Sequence, residues 1–427
     1  MKILDFKEKK YTTFEITIIS MLFEVLELKS IFVYLDEISI KTYFLKNELL
    51  LIHNYKLLMT SIWEQETFYR SRDVIIIGAG FTGLWTAISI KEKNPSTSVL
   101  VVERSSIPMG ASTRNAGFAC FGSLTEIIAD SEKMGWAKTL DLVKMRFDGL
   151  QKIQKYFKPE EIDFELSGGY EILNYDEPLH KLDQVNLQLK TITNLEETYT
   201  LKNEKIEEFG LRDSKYLIEN PLEGSLHSGK LIQKLLDKCY ELKVEFLFGT
   251  EVKSVSENQK EVEILLSDDI HLQSEKVIFC TNAFSSEFLK NEEIIPARGQ
   301  ILLTEPIENL KLKGTFHYDE GFYYFRNVGN RILLGGARNQ DFETEKTTDL
   351  ETTDFLQNHL ENFLKTIIIP HQNYKIEKHW SGIMAMGTEK TPIVKQISGR
   401  QFCAVRLSGM GVALAPKIGE MVAEMIF

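Results

Sequence analysis

The sequence contains only four cysteines, and they are scattered. Cys120, Cys239, Cys280 and Cys403 form no CxxC pair and no spacing typical of a metal site. This arrangement gives no sign of a disulfide framework and favours a reducing, cytoplasmic compartment. We therefore expect no bound metal ion.

Long basic runs and long apolar runs are also missing. The formal net charge is -12, so we expect no nucleic acid and no anionic membrane surface among the partners. No apolar stretch reaches the length that crosses a bilayer, so no transmembrane segment is predicted. Lysines open the chain, but the acidic residues that follow them do not fit a signal peptide. With 427 residues, of which 43% are hydrophobic, the chain is long enough for one large domain or two interleaved ones.

Residues 1–58 lack several residue types altogether: Gly, Ala, Pro, Arg, Gln and Cys. A folded domain of this size normally needs glycine or proline in its turns. Two interpretations are open: a helical extension that packs on the body or on a partner, or translated upstream sequence ahead of a natural start at Met59. We favour the second, because the missing residue types mostly have GC-rich codons. A tryptic peptide from residues 11–55 in the native protein would contradict it.

The most informative segment that is present is a glycine-rich turn between a strand and a helix. The apolar run Asp73–Ile77 leads into Gly78-Ala79-Gly80-Phe81-Thr82-Gly83. A helical pattern follows, and a second apolar strand, Val99–Val102, ends at Glu103. The full order of strand, GxGxxG, helix, strand and acid is typical of a dinucleotide-binding βαβ unit. It predicts a protein that holds an adenine dinucleotide.

Each residue type in this unit has a physical reason. Gly78 permits the tight turn, Gly80 lets a pyrophosphate approach the backbone, and Gly83 lets the helix pack close to the sheet. The phosphates would lie at the helix N-terminus, where N–H groups and the helix dipole favour negative charge. Glu103, about 20 residues after Gly83, is placed to accept hydrogen bonds from ribose hydroxyls. An acid there argues against the 2′-phosphate of NADP.

The rest of the chain alternates helical and strand patterns. Helical periodicity marks residues 138–157 and 230–242, and the charged stretch 178–220 favours helix. The chain closes on a strand at 402–406, the turn Gly409-Met410-Gly411 and a helix. A second glycine-rich turn so far from the first suits a long, extended cofactor that is contacted by both regions. This favours FAD over NAD.

Three motifs in this order resemble a known family. They are Val74–Glu103, Gly110–Gly117 (GASTRNAG) and Gly409–Pro416 (GMGVALAP). Together they resemble the D-amino-acid oxidase superfamily of FAD enzymes, which includes glycine, sarcosine and gamma-glutamylputrescine oxidases. The resemblance covers about residues 62–427, and it is specific for the superfamily rather than for a substrate.

The resemblance implies an α/β plus α+β fold with two domains. One is a Rossmann-like FAD-binding domain built from discontinuous segments, and the other is a substrate domain with a mixed sheet. The predicted FAD-binding domain comprises residues 70–160, 221–292 and 386–427, and the predicted substrate domain comprises residues 161–220 and 293–385. Residues 1–58 lie outside both.

The resemblance also assigns cofactor contacts. Gly78 to Gly83 would hold the pyrophosphate, Glu103 the adenosine ribose, and Val252 the adenine through its backbone. Gly409 to Val412 would place N–H groups near the flavin pyrimidine ring, where a helix N-terminus stabilises negative charge. FAD is expected to be non-covalent, because the segment around Trp380 has no Cys for attachment. The predicted cofactor-binding residues are Gly78, Gly80, Phe81, Thr82, Gly83, Glu103, Arg104, Ser112, Thr113, Arg114, Asn115, Ala116, Gly117, Val252, Gly409, Met410, Gly411 and Val412.

Departures from the family pattern concern the substrate. Amino-acid oxidases of the family bind the substrate carboxylate with an Arg that follows a Trp in one strand, but Trp380-Ser381-Gly382-Ile383-Met384 has Met there. This favours an amine, or an acid that is held elsewhere. Tyr323, Tyr324 and Arg326 are the predicted catalytic residues, because their strand resembles the one that carries an active-site Tyr. The alternatives are a place in the sheet core for the tyrosines and a structural role for Arg326.

We expect FAD-dependent oxidation of a C–N bond of an amine or amino acid, by hydride transfer to flavin N5, giving an imine that hydrolyses. Orientation and water exclusion supply much of the rate of such a reaction. Any one of His227, His317 and His379 is expected to be structural or at the surface. The alternatives are an FAD-dependent 2-hydroxy acid dehydrogenase on the same scaffold and a non-catalytic flavin-binding partner protein. The electron acceptor would be oxygen or a carrier.

Overall fold

The computed structural model of the chain describes residues 60–370 and 372–427. Both interpretations of residues 1–58 fall outside these described residues. Helix α1 (Ile62–Thr67) belongs to a separate unit, and Phe68–Phe427 form one compact unit. All the contacts discussed below lie within Phe68–Phe427.

The described residues form strands and α-helices, with a run of strands over residues 245–336 in which no α-helix occurs. The strands are β1 (Arg72–Ile77), β2 (Val99–Glu103), β3 (Phe118–Ala119), β4 (Gly169–Leu173), β5 (Thr200–Leu201), β6 (Tyr216–Asn220), β7 (Gly224–Ser225), β8 (Glu245–Phe248), β9 (Val252–Glu257), β10 (Val262–Leu266), β11 (His271–Phe279), β12 (Ile295–Thr304), β13 (Thr315–Tyr318), β14 (Tyr323–Val328), β15 (Arg331–Gly336), β16 (Ile376–Met386), β17 (Ile393–Gln396) and β18 (Gln401–Val405). The α-helices after α1 are α2 (Phe81–Lys93), α3 (Ala111–Arg114), α4 (Leu124–Met134), α5 (Trp136–Tyr156), α6 (Pro159–Ile162), α7 (Leu182–Thr193), α8 (Glu204–Phe209), α9 (Ser228–Glu241), α10 (Asp354–Phe363) and α11 (Gly411–Ile426).

The first sheet is organised around β1, whose residues after Asp73 are all buried. β1 pairs in parallel with β2 on one side and with β11 on the other. The strand order is β17-β18-β11-β1-β2-β8, and β9 and β10 continue from β11 as antiparallel neighbours. Central parallel strands are covered on both faces and therefore read as continuous apolar runs. The strands of this sheet come from the three segments predicted for the FAD-binding domain.

Helix α11 packs against α2 and α5 on one face of this sheet. Leu84 and Trp85 of α2 and Ile418 of α11 are fully buried in the same apolar cluster. A second cluster covers the opposite face and contains Ile75, Val277 and Leu272. Because apolar clusters cover both faces of the sheet, the end of β1 is held in place, and so is the glycine-rich turn that follows it.

The second sheet is mixed, with the order β16-β12-β15-β14-β13-β4-β6-β5. β13 and β4 are parallel, and the other neighbours are antiparallel. Phe316, Phe325 and Phe363 of α10 form the centre of its apolar cluster. A Rossmann-like sheet beside a mixed sheet is the predicted fold class, which is confirmed.

The strands of the second sheet lie within the segments predicted for the substrate domain, except that β16 ends at Met386. Phe68–Phe427 nevertheless cluster as one unit, so the division into two domains stays a prediction. One local expectation was incomplete. The helix-favouring stretch 178–220 contains α7 and α8, but it also contains β5 and β6, which extend the sheet beyond β4.

Candidate cofactor and active site

A cavity of about 690 Å³ is lined by residues from both sheets. This volume lies within the range of about 300–1,000 Å³ that ligand and cofactor sites occupy. The predicted site residues that line it are Gly78, Gly80, Phe81, Thr82, Glu103, Arg104, Ser112, Arg114, Asn115, Ala116, Val252, Tyr324, Gly409, Met410, Gly411 and Val412. The predicted residues outside its lining are Gly83, Thr113, Gly117, Tyr323 and Arg326.

The glycine-rich turn is shaped by close backbone contacts. Gly78 has a φ of 105°, and a Cβ on Gly83 would lie 1.9 Å from the Gly78 carbonyl oxygen. Gly80 caps α2 without a side-chain hydrogen bond, and the Ser112 hydroxyl accepts a hydrogen bond from the Phe81 N–H at 2.9 Å. The N-terminus of α2 therefore opens onto the cavity, and its N–H groups and dipole suit a phosphate.

Glu103 ends β2 beside this turn. One carboxylate oxygen accepts a hydrogen bond from the Ala79 N–H at 2.9 Å, and the other accepts one from the Ser105 N–H at 3.0 Å. Two backbone donors hold the carboxylate at the edge of the cavity, next to the parallel strand β1. Beyond it, the Arg104 guanidinium lies 3.8 Å from the centre of the Phe284 ring. Both residues of this pair line the cavity, as does Val252.

Residues 112–117 connect the first sheet to the second. The Asn115 amide donates to the Ala111 and Ser112 carbonyls, and its oxygen accepts hydrogen bonds from the Gly117 N–H and the Ser228 hydroxyl. The indole N–H of Trp380, in β16, donates to the Arg114 carbonyl at 3.0 Å. The segment is therefore fixed on both sides, and it presents Ser112, Arg114, Asn115 and Ala116 to the cavity.

The turn before α11 has an unusual backbone. Arg406, Ser408 and Gly409 all have positive φ, at 60°, 47° and 83°. The Arg406 guanidinium donates to the Glu293 and Thr391 carbonyls, which holds the turn in place. Within the described residues, the buried hydroxyl of Ser408 has no hydrogen-bond partner. Strained non-glycine residues and an unpaired buried hydroxyl are typical of a site that is built around a ligand.

Tyr323 and Tyr324 point to opposite faces of β14, as neighbouring strand residues do. The Tyr323 ring stacks on Phe363 at 4.6 Å in the apolar cluster of the second sheet. Tyr324 lines the cavity, and burial raises the pKa of its phenol to about 12, so the hydroxyl stays neutral. The structure thus places only Tyr324 where it would meet a ligand.

Arg326 shares the face of Tyr324, but its guanidinium is already engaged. It donates to the Gly117 carbonyl at 2.8 Å and to the Leu226 carbonyl at 3.1 Å. Burial lowers the pKa of this guanidinium to about 10. These contacts favour the structural role for Arg326, because they brace the segment that ends at Gly117.

Met384, the residue that the sequence resemblance matches with the family's carboxylate-binding Arg, faces the cavity. Its methyl group lies 3.1 Å from the point that a Cβ on Gly299 would occupy, and the Tyr324 hydroxyl lies 3.6 Å from the same point. Its sulfur lies 3.5 Å from the corresponding point on Gly409. The thioether therefore fills the space between the Tyr324 hydroxyl and the turn before α11.

The sequence did not reveal an ionic cluster at the cavity wall. Lys390, from the loop between β16 and β17, lies 2.9 Å from the Asp130 carboxylate and 3.1 Å from the Glu126 carboxylate. Arg146 is 3.2 Å from the same Glu126 oxygen. Burial by itself would raise the pKa of Glu126, but Lys390 and Arg146 outweigh burial and hold it at about 2. Most members of this cluster lie far apart along the chain. Only Glu126 and Asp130, four residues apart on α4, are close enough in sequence to suggest a shared helix face.

Two further residues of the second sheet line the cavity. His317 of β13 is buried, and burial lowers the pKa of its imidazole, so the ring is neutral. Arg338 follows β15 and is half-buried. Of the three histidines considered from the sequence, His317 is the one in the lining. Within residues 60–370 and 372–427, no group of three His, Cys, Asp or Glu side chains is arranged to hold a metal ion. In the same part of the chain, no helix is both long and apolar enough to span a bilayer.

The residues around the cavity fit FAD. The uncapped N-terminus of α2 suits the pyrophosphate, the Glu103 carboxylate suits a ribose, and the unpaired Ser408 hydroxyl lies beside the turn before α11. Together, the parallel sheet with its glycine turn and the mixed sheet that lines the same cavity define a two-sheet flavoprotein.

A model of the DAO family, described as FAD dependent oxidoreductase, matches residues 73–425. The chain belongs to this family and is an FAD-dependent oxidoreductase. This confirms the resemblance and the cofactor that were predicted from the sequence.

Individual proteins of known sequence or structure are also similar. A probable oxidoreductase, OrdL, of Haemophilus influenzae is 28% identical over 381 residues, which cover 83% of this chain and 82% of the relative. The gamma-glutamylputrescine oxidoreductase of Escherichia coli K12 is 24% identical over 387 residues, or 83% of each chain. The crystal structure of L-proline dehydrogenase from P. horikoshii has a TM-score of 0.71 at 21% identity, and the match covers 84% of this chain and 94% of that one. This structural match supports the fold.

Proposed function

We propose that this oxidoreductase oxidises a C–N bond of an amine or amino acid to an imine, which water then hydrolyses. The observation that carries the proposal is one cavity that joins the glycine-rich turn to the wall formed by Tyr324 and Met384. The names of two similar proteins support it, because gamma-glutamylputrescine and L-proline both contain an oxidisable C–N bond.

We assign the cofactor to the wall of the first sheet, meaning the part of the cavity that is lined by the strand ends and turns of that sheet. The turn Gly78–Gly83 and the N-terminus of α2 would hold the pyrophosphate, and Glu103 would hold the ribose. The loop from Ser112 to Gly117 and the turn from Gly409 to Val412 would hold the flavin end without a covalent bond. When bound, FAD supplies a two-electron acceptor that takes a hydride from the carbon next to the substrate nitrogen.

The wall of the second sheet would orient the substrate. Tyr324 offers a neutral hydroxyl, and neutral His317 and the Met384 thioether add little charge to this part of the cavity. A neutral amine is the form that can lose a hydride readily, and removal from water beside uncharged Tyr324, His317 and Met384 favours the neutral form over the ammonium ion. The residues contribute mainly by positioning the substrate and by excluding water.

An anaerobic titration of the FAD-loaded protein tests the reaction type. A panel of secondary amines, polyamine derivatives and amino acids is mixed with the enzyme, and the loss of visible flavin absorbance is followed. We expect at least one amine to bleach the flavin and to yield the corresponding carbonyl product. Bleaching by 2-hydroxy acids and by no amine would instead identify a hydroxy acid dehydrogenase, and FAD that no compound reduces would indicate a non-catalytic flavin-binding protein.

Two further parts of the proposed function concern the electron acceptor and the cellular compartment. We propose that electrons pass to oxygen or to a carrier, and comparing peroxide formation with dye reduction distinguishes the two. All four cysteines are buried free thiols, which fits the reducing conditions of the cytoplasm.

A further inference from the structure

Arg338 lines the cavity without an acidic partner in the described part of the chain. It begins a short 3-10 segment, Arg338–Gln340, directly after β15, and its guanidinium lies 4.9 Å from the centre of the Phe342 ring. No carboxylate among residues 60–370 and 372–427 lies within ion-pair distance of it. A guanidinium presents planar donors that match a carboxylate, and a half-buried one without an anion gains most from binding such a ligand.

The nearby acid Glu345 is already occupied. Arg298 binds both of its carboxylate oxygens, at 2.9 Å and 2.6 Å, and the Gln300 amide donates to one of them at 3.0 Å. Both Arg298 and Glu345 are buried. Both oxygens of Glu345 are thus engaged by Arg298, and Glu345 attracts Arg338 only from beyond ion-pair distance.

Other cationic side chains at or near the cavity differ from Arg338. Lys390 is paired with Glu126 and Asp130. Arg114 donates to the Met109 and Ser381 carbonyls, and Arg326 donates to two carbonyls and lies outside the lining. Arg338 is therefore a half-buried cation of the second-sheet wall that protein groups leave available to an anionic ligand.

The backbone holds Arg338 beside Tyr324. Ala337, the residue before it, has a φ of 60° and donates its N–H to the Phe322 carbonyl at 2.8 Å. A positive φ is unusual for alanine and indicates a conformation that the surroundings impose. Tyr324 is paired with Gly335 across β14 and β15, and the charge of Arg338 acts on the pKa of Tyr324. A guanidinium and a neutral phenol hydroxyl thus line the same cavity, near enough for the charge of the first to act on the second.

We propose that Arg338, assisted by the Tyr324 hydroxyl, binds the carboxylate of the substrate. Met384 removes the family's usual anchor from β16, and Arg338 supplies the charge from the end of β15. The substrate class is then an amine that also carries a carboxylate, such as an amino acid or an N-substituted amino acid. This inference rests on the proposed function for the amine, but the binding of a carboxylate is testable without turnover.

The first experiment measures carboxylate binding to the FAD-loaded protein. Acetate and benzoate are titrated while the visible flavin spectrum is followed, in the wild type and in Arg338→Gln, Arg338→Lys and Arg331→Gln. We expect Arg338→Gln to weaken binding about 10- to 100-fold, since a charge-assisted bond is lost. Arg338→Lys keeps the charge and should recover part of the affinity. Arg331→Gln, at the start of β15, removes a partly exposed ion pair with Glu377 and should bind as the wild type does.

Unchanged affinity in Arg338→Gln with FAD retained, or a wild type that binds neither acid, would overturn the inference. A second experiment separates this failure from that of the proposed function. L-Proline and pyrrolidine differ only in the carboxylate, and we expect reduction of the flavin by proline to exceed that by pyrrolidine in the wild type but not in Arg338→Gln. If both amines reduced the wild-type flavin equally, the proposed C–N oxidation would stand, and the proposal that Arg338 binds the substrate carboxylate would be refuted. If acids bind through Arg338 but no amine of the full panel reduces the flavin, the anchor stands and the reaction type fails.

Discussion

The two walls of the cavity are built by different means. In the wall of the first sheet, backbone groups come together: the turn Gly78–Gly83, the N-terminus of α2 and the turn that begins α11. In the wall of the second sheet, side chains come together from three strands of the same sheet, notably His317 of β13, Tyr324 of β14 and Met384 of β16. A backbone site leaves a local signature of glycines in the sequence, whereas a side-chain site depends on strand register and leaves little.

This difference has a chemical counterpart. A backbone site suits a cofactor that is the same in every member of a family, because N–H groups are independent of side-chain identity. A side-chain site can change its ligand by single substitutions. If Arg338 binds the substrate carboxylate as proposed, Met384 and Arg338 would together be such a change within the family's fold.

Substitution in the backbone wall should abolish cofactor binding. Gly83→Val would place a Cβ within 1.9 Å of the Gly78 carbonyl oxygen, so the turn and the N-terminus of α2 must move apart. We expect a protein without detectable FAD, measured as the ratio of flavin to protein absorbance after purification. Gly110→Ala is the control, because a Cβ there meets no atom within 4 Å. A Gly83→Val protein that retains stoichiometric FAD would contradict the close-packing role of this glycine.

The ionic cluster at Lys390 should make stability depend on pH. The pKa of Glu126 is held near 2, below its ordinary value of 4.5, so the ionised form favours the folded state. A depressed folded-state pKa adds stability above pH 4.5, and this stability is lost as the pH falls towards 2. Relative to Glu126→Gln, the wild type should gain about 3 kcal/mol at neutral pH, and the difference should shrink through that window.

Denaturant unfolding of the FAD-loaded proteins at several pH values measures this difference. Glu343→Gln, which removes an exposed ion pair with Lys346, should change the free energy of unfolding by less than about 1 kcal/mol at neutral pH. A Glu126→Gln protein that loses the same stability at pH 3 as at pH 7 would show that the cluster stabilises by packing and not by charge.

The side-chain wall should distinguish the two neighbouring tyrosines. Tyr324→Phe removes a hydroxyl that faces the cavity, so we expect KM for the substrate to rise about 2- to 10-fold, the worth of one neutral hydrogen bond. Tyr323→Phe alters a ring that packs on Phe363 and should leave KM within about two-fold, since it loses no contact with a ligand. Steady-state kinetics with the best amine of the panel provide the comparison. Equal effects of the two substitutions would place both tyrosines outside the substrate site.

Much of the fold followed from local patterns. The glycine-rich turn, the buried strand before it, the acid at Glu103 and the closing turn at Gly409 are short-range signals that predicted a dinucleotide site and favoured FAD. The family resemblance that such motifs carry then implied the fold class. Strands β5 and β6 were hidden in a helix-favouring stretch. β6 forms because β4 offers it a pairing edge, and such tertiary pairing overrides weak local propensity.

The substrate side was less accessible to sequence reasoning. Tyr323 and Tyr324 point to opposite faces of β14. Which of them faces the cavity depends on which face of the strand α10 covers. The partners of Arg326 and Lys390 come from segments more distant along the chain, and no spacing rule connects them. The sequence around Arg338 matches no motif. Whether Arg338 can bind a ligand depends on the ion pair that Arg298 forms with Glu345, which the sequence does not show.

The strand order of the first sheet has a consequence for biosynthesis. β18 lies next to β11, which lies next to β1, although β1 ends at Ile77 and β18 begins at Gln401. A ribosome releases β1 long before Leu407 to Ala413, the last residues along the chain that line the cavity. During translation the nascent chain therefore carries an unfinished cofactor site with exposed apolar strand edges, and these edges are prone to aggregation. The supply of FAD and of chaperones at the moment of chain release should limit the yield of active enzyme in cells.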